Sequence, residues 1–151
     1  HHEQIKEWPM TYSQEIKGIG KVLFCHATPR NDNEVFTRLT PTKVLSPLFE
    51  SLNVNLVVCG HPHMQFDRMI GDVRVVNAGS VGMPFGEPGA YWLLIEDDNI
   101  ALQFTEYDLL EASKRIKETD YPGAVDFAEN NILNPPSEEQ MLQLFSQAEL
   151  K

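Results

Sequence analysis

Histidine is the residue type whose placement in this chain most clearly suggests chemistry. The chain has five histidines, and three of them directly follow short apolar runs. His26 comes after residues 21–25, and His61 and His63 come after residues 55–59. Neutral imidazole is the commonest protein ligand of divalent transition metals. Three converging imidazoles would form a metal site, whereas a lone histidine in a loop is usually an ordinary polar surface residue.

The elements around these histidines predict that they converge. Residues 21–25 and 55–59 have the continuous apolar character of strands that are covered on both faces. Between them, residues 40–52 place apolar side chains on one helical face, and Pro47 is expected to kink this helix or to restart it with Ser46 as N-cap. Strand, helix and strand at this spacing predict a βαβ unit with parallel strands. Loops at the carboxyl ends of such strands meet at one edge of the sheet.

The remaining segments predict hairpins and then helices. Two antiparallel hairpins are expected, from strands at about 65–69 and 73–77 and at 90–96 and 100–107. From Asp108 onward, capping residues and prolines predict three helices, at about 109–121, at 124–131 and after Ser137. The first 20 residues predict at most one short strand. The fold class is therefore α/β, with a helical extension at the C-terminal end.

Composition limits the partners and the setting. The chain has 151 residues, is 42% hydrophobic and carries a formal net charge of −10. This acidity argues against extended contact with nucleic acid or with an anionic membrane. No apolar run approaches the roughly 20 residues that span a bilayer and no secretory leader is visible, so a cytoplasmic setting is expected. Cys25 and Cys59 lie in apolar runs without zinc-finger spacing, which favours buried free thiols over zinc ligands.

Three short motifs together carry a resemblance to a known family. Residues 24–29 (FCHATP), 59–63 (CGHPH) and 77–82 (NAGSVG) resemble, in order and spacing, motifs of the second half of calcineurin-like metallophosphoesterases. The similarity is best with the small bacterial phosphodiesterase branch related to diadenosine tetraphosphate hydrolases, and it covers about residues 8–108. It implies half of a two-sheet α/β sandwich. It also implies metal-dependent hydrolysis of phosphate esters, with a small phosphate ester or a nucleotide as substrate.

The resemblance assigns roles to individual residues. His26 and His61 would ligate one ion of a dinuclear site and His63 the other, with Mn²⁺ preferred and iron, zinc or nickel also suited to such ligands. Arg30 is a candidate phosphate contact, because a guanidinium forks onto phosphate oxygens, although a solvated loop charge is an equally good interpretation. Residues 77–82 are expected to form a structural turn near the site rather than a chemical contact.

The carboxylate motifs of the family's first half are missing from the sequence. There is no Asp-x-His, and Gly71-Asp72 follows the Gly-His-x-His motif, in the wrong order to supply the bridging aspartate. The histidine that usually protonates the leaving group is also missing, so no catalytic residue beyond metal ligands is identified. We therefore expect residues 1–2 to be a tag remnant, 3–107 to be the C-terminal half of the enzyme core, and 108–151 to be a helical extension.

A chain that carries only the C-terminal half of the enzyme core is expected to have weak or no hydrolytic activity alone. It is also expected to associate with itself or with the missing N-terminal half. Two alternatives stay open at this point. One is a non-catalytic protein-interaction scaffold on the same fold, which has no chemical need for the three histidines. The other is an unrelated mononuclear hydrolase built on these histidines, with Glu34 or Glu87 as general base.

Overall fold

The centre of the molecule is a five-stranded mixed sheet. The computed structural model describes residues 1–148 and 150. The strands are β1 (Thr11–Ile16), β2 (Gly20–Cys25), β3 (Leu56–Cys59), β4 (Phe66–Ile70) and β5 (Val73–Asn77). Their order is β1-β2-β3-β5-β4; β2, β3 and β5 are parallel, and β1 and β4 pair antiparallel at the two edges. The predicted parallel βαβ unit and the α/β fold class are confirmed.

A separate hairpin packs on one face of this sheet. β6 (Ala90–Glu96) and β7 (Asn99–Thr105) pair antiparallel around a turn that contains Asp97, as predicted. Apolar side chains of the hairpin cover a buried cluster of Val22, Leu56 and Val76 on the sheet. These contacts make the second layer of a sandwich, and burial of apolar surface between the layers is what holds the hairpin in place.

The opposite face of the sheet is covered by α2 (Thr42–Phe49). Leu45 and Phe49 are completely buried there, as the apolar periodicity predicts. Of the two alternatives for Pro47, the restart at Ser46 is wrong, because the helix runs through Pro47 as one element and the amide of Glu50 still donates to the Ser46 carbonyl. Proline removes one helical hydrogen bond, and burial of the apolar face of α2 compensates for that loss.

The two ends of the chain are mostly helical. The N-terminal end forms a short exposed helix, α1 (His2–Lys6), which the sequence did not predict and which includes one of the two residues assigned to a tag. The C-terminal end forms α3 (Leu109–Lys117), α4 (Ala124–Phe127) and α5 (Glu138–Ala148). Among the described residues, no helix has the length and apolar character needed to cross a membrane.

The caps of the C-terminal helices are those that the sequence predicts. The Asp108 carboxylate accepts the amide of Glu111 at 2.9 Å, and Ser137 and Gln140 form a reciprocal capping box. The helix expected at 124–131 differs from its prediction, because after α4 the chain widens into a π-helical turn, Ala128–Leu133. The wider turn leaves Ala128 and Ile132 buried, so it keeps the apolar side of this segment against the protein.

The core position of α2 can be tested with two leucines in different helices. Leu45 in α2 is fully buried, whereas Leu110 in α3 is 75% exposed. Leu45→Ala should lower the free energy of unfolding by about 2–5 kcal/mol, because it leaves a cavity under the sheet. Leu110→Ala should change it by less than about 0.5 kcal/mol. Equilibrium urea unfolding of both variants measures the difference, and equal losses would contradict the packing described here.

Candidate metal centre at the ends of two parallel strands

The carboxyl ends of β2 and β3 bring two histidine rings together. Beyond the last residues of the strands, the carbonyl oxygen of His26 accepts hydrogen bonds from the amides of Gly60 and His61, at 3.0 and 2.9 Å. These bonds hold the two loops side by side. The side-chain rings consequently meet. His61 Nδ1 lies 2.9 Å from His26 Nε2, and the ring centroids are 4.8 Å apart. The convergence of these two side chains therefore follows from the register of the parallel strands.

His63 is held next to this pair by separate contacts. Its Nδ1 lies 2.8 Å from the carbonyl oxygen of Met83, and its ring stacks on Phe85 with centroids 5.5 Å apart. Its backbone has φ of 57°, a left-handed conformation that is unfavourable for a residue with a side chain. The buried residues on either side, Pro62 and Met64, anchor the segment and keep His63 in this conformation.

The structure brings together two of the three predicted ligands. Among residues 1–148 and 150, no group of three or more His, Cys, Asp and Glu side chains is arranged to hold a metal ion. His26 and His61 face each other, and His63 is engaged with Met83 and Phe85 beside them. The assignment of all three as metal ligands therefore stays a prediction.

The donor chemistry of His61 and His63 nevertheless fits a divalent transition metal. Burial lowers the pKa of His61, and neighbouring His26 and His63 lower it further, against an opposing effect of Asp32. Burial also lowers the pKa of His63, although its bond to Met83 acts in the opposite direction. Both shifts favour neutral imidazole, the form that binds metals. A hydrogen bond from Nδ1 to a carbonyl oxygen would also leave Nε2 of His63 as the available lone pair.

The segment at 77–82 forms the predicted structural turn. The fully buried Asn77 accepts the amide of Gly79 on its side-chain oxygen at 2.9 Å, and Ser80 Oγ accepts the amide of Met83 at 3.0 Å. Gly79 has φ of +84°, and a Cβ there would lie 2.6 Å from the Cβ of Tyr91. Glycine is therefore required where the turn passes under the hairpin. Through Ser80, the turn also positions the Met83 carbonyl that contacts His63.

Gln65 is an organising residue that sequence reasoning missed. Its Nε2 lies within hydrogen-bond distance of three carbonyl oxygens: Ala78 at 3.1 Å, Trp92 at 3.0 Å and Gln103 at 3.1 Å. One amide group thus joins the end of β5 to both strands of the hairpin, two residues after His63. No local pattern could reveal it, because its partners lie 13 to 38 residues away.

Arg30 is already paired within its own loop. Its Nε and Nη2 donate to both oxygens of Glu34, at 2.6–3.1 Å, and the Thr28 hydroxyl donates to the same carboxylate at 2.5 Å. The arginine side chain is still 61% exposed. It can therefore present free guanidinium hydrogens to solvent, and its role as a phosphate contact stays a prediction.

The two cysteines are not suited to bind a metal. Both are free; Cys59 is buried as predicted, and Cys25 is only partly buried. Burial raises the pKa of Cys25 to about 11 and that of Cys59 well above its ordinary value, with a smaller contribution to the latter from Cys25. Both therefore stay protonated near neutral pH, whereas the metal-binding form of cysteine is the thiolate.

Comparisons with known proteins point to one superfamily. The model of the calcineurin-like phosphoesterase superfamily domain matches residues 3–99. A crystal structure of a hypothetical protein from Pyrococcus horikoshii matches 89% of the chain at 21% identity, with a TM-score of 0.70. A metallophosphoesterase from Sphaerobacter thermophilus matches 84% at 16% identity, with a TM-score of 0.63. The matches span 54% and 61% of those two proteins, respectively, so the chain is shorter than either. No curated protein matches the chain.

The loop that carries Arg30 offers a test by pH. The hydrogen bond from Arg30 lowers the pKa of Glu34 below its ordinary value of 4.5, and the Thr28 hydroxyl lowers it further, against an opposing effect of burial. A lowered folded-state pKa stabilises the protein above pH 4.5, and that stabilisation is lost as pH falls through the folded-state pKa.

Glu34→Gln should therefore lower the free energy of unfolding by about 0.5–1 kcal/mol at pH 7, and this loss should become steadily smaller below pH 4.5. Urea unfolding at several pH values measures it. Glu106→Gln, at an exposed position, is the matched control. A loss of unfolding free energy that does not change with pH would contradict the pairing of Glu34 with Arg30.

Proposed function

Because the chain belongs to the calcineurin-like phosphoesterase superfamily, we propose that it carries the histidine ligands of a divalent-metal site that hydrolyses phosphate esters. The observation that supports this most directly is the 2.9 Å approach of His61 Nδ1 to His26 Nε2. This separation is that of a hydrogen bond between the two rings, and it is slightly shorter than the roughly 3–3.4 Å between adjacent ligand atoms on one ion with bonds of about 2.1 Å. A protein-interaction scaffold has no chemical need for metal-binding imidazoles at this position.

The residues that would hold metal are His26, His61 and His63. Mn²⁺ is the proposed ion, and its bound form would supply Lewis acidity toward the phosphate and an activated water as nucleophile. The protein's own contribution is positioning. The His26 carbonyl fixes the loop of His61, while Met83 and Phe85 fix the ring of His63.

Arg30 is proposed to contact the phosphate on its exposed side. The Glu34 carboxylate holds the guanidinium in place through two nitrogens, which restricts its rotation without removing its charge. The remaining hydrogens of the fork can meet a phosphate oxygen. Glu34 is therefore occupied as a partner of Arg30, which makes it a poor candidate for a general base.

The remaining parts of the active site are proposed to come from outside this chain. We infer that carboxylate ligands and a proton donor for the leaving group are supplied by a preceding half or by an associating partner. The isolated chain should then bind metal weakly and hydrolyse little. The proposed setting is the cytoplasm, which agrees with two free cysteines among the described residues.

Metal content tests the assignment directly. At equilibrium with Mn²⁺ and separated from free metal by ultrafiltration, the wild-type chain should hold one ion per chain by elemental analysis, because bridging carboxylates for a second ion are missing. His61→Ala should lose about tenfold or more in metal affinity, since one of the two facing nitrogens is removed. His2→Ala, at an exposed histidine outside the site, should behave as wild type.

Two outcomes would contradict the proposal in different ways. Equal Mn²⁺ binding by His61→Ala and by wild type would contradict the assignment of His61 as a metal ligand. Two ions per chain, together with hydrolysis of bis(p-nitrophenyl) phosphate by the chain alone, would show that the site is complete and would overturn the requirement for a second half.

A further inference from the structure

The C-terminal helix borders a cavity beside His63. The amide of Gly86 donates to the Pro136 carbonyl at 2.8 Å, and the Phe85 and Phe145 rings meet edge to face at 5.9 Å. These contacts bring the start of α5 against the loop that follows the 77–82 turn. Between them lies a cavity of about 380 Å³, with a lining that includes His63, Gln65, Phe85, Glu87, Tyr91 and Glu138.

The hydrogen-bond donors of this lining are largely committed to the protein. The Tyr91 hydroxyl donates to the Glu87 carbonyl at 3.1 Å, and the amide of Gly86 donates to the Pro136 carbonyl. Gln65 Nε2 lies within hydrogen-bond distance of three carbonyl oxygens. The Nδ1 of His63 is engaged with Met83. A ligand that needs donors from the protein, such as a phosphate or a carboxylate, therefore finds few of them here.

The acceptors of the lining remain available and carry negative charge. Glu87 is exposed at the cavity, and Glu138 is paired through one oxygen with Arg38 at 2.9 Å. Both glutamates line the cavity together with Tyr91. Burial raises the pKa of Tyr91, and the charges of Glu87 and Glu138 raise it further. Two carboxylates with one arginine leave a local excess of negative charge. The matching ligand is a cation that donates hydrogen bonds.

The aromatic rings of the cavity favour a primary ammonium over a quaternary ammonium as the cation. Phe85 already stacks on His63, and Tyr91 packs on Phe104 with centroids 4.9 Å apart. A quaternary ammonium binds chiefly through open aromatic faces, which these rings offer only in part. A primary ammonium instead donates charge-assisted hydrogen bonds to carboxylates.

We propose that this cavity binds the alcohol portion of a phosphate ester whose alcohol carries a primary ammonium group. The inference rests on the proposed function only for the phosphate end of the substrate. His63 and Tyr91 line both this cavity and an open groove that includes His26. A ligand can therefore place its phosphate at the histidines and its ammonium group between Glu87 and α5. In this arrangement Glu138, at the start of α5, brings the helical extension into the specificity pocket.

The test uses the metal-free chain in the presence of a chelator, with ethanolamine as the probe. Ethylene glycol, its neutral counterpart, is added to a second sample at the same concentration and ionic strength. Ethanolamine should produce saturable amide shifts in ¹⁵N NMR spectra at Gly86, Glu87 and Tyr91, and ethylene glycol should not. Glu87→Gln should weaken binding about two- to fivefold, as expected for an exposed charge. Glu139→Gln, exposed on α5 outside the cavity, should leave it unchanged.

The outcomes separate this inference from the proposed function. Equal shifts with ethylene glycol, or binding of ethanolamine that Glu87→Gln does not weaken, would overturn the ammonium site. Failure of the metal assignment would appear only in the metal retention of His61→Ala, which the metal-free experiment does not involve. Saturable ethanolamine binding that Glu87→Gln weakens and Glu139→Gln does not would support the ammonium site, whatever the metal content.

Discussion

The carbonyl oxygen of His26 accepts hydrogen bonds from both Gly60 and His61, and this pair of bonds is the constraint on which the candidate site depends. It extends the parallel pairing of β2 with β3 past the ends of the strands. The loops consequently leave the sheet at the same level, and their first side chains meet. A shift of this register by one residue would turn alternate side chains to the opposite face and separate the two rings. The meeting of the two rings is thus a direct consequence of sheet geometry.

A second level of organisation fixes the hairpin of β6 and β7 over the sheet. Apolar contacts supply most of the attraction, but they are not directional and would tolerate sliding. Gln65 removes that freedom because one amide group lies within bonding distance of carbonyls in three segments. Gly79 permits the close approach by having no Cβ beneath Tyr91. The position of Met83 relative to His63 follows from this arrangement.

Features determined by neighbouring residues could be predicted from the sequence, and features determined by distant contacts could not. The strands, the hairpins and the caps at Asp108 and Ser137 follow from local periodicity and capping chemistry. The meeting of His26 and His61 follows from the rules of βαβ connection. The choice between a helix that continues through Pro47 and one that restarts at Ser46 did not follow from the sequence, because tertiary burial of α2 decides it. The partners of His63 and Gln65 could not be predicted either, because they are determined by packing between segments that are distant in the sequence.

The left-handed backbone of His63 has a consequence for which residues can replace it. A glycine or asparagine at this position would relax the main chain. The same replacement would remove the ring that contacts the Met83 carbonyl and stacks on Phe85. Backbone strain and the anchoring of the 83–85 loop therefore change together at this one residue, so neither can be altered there alone.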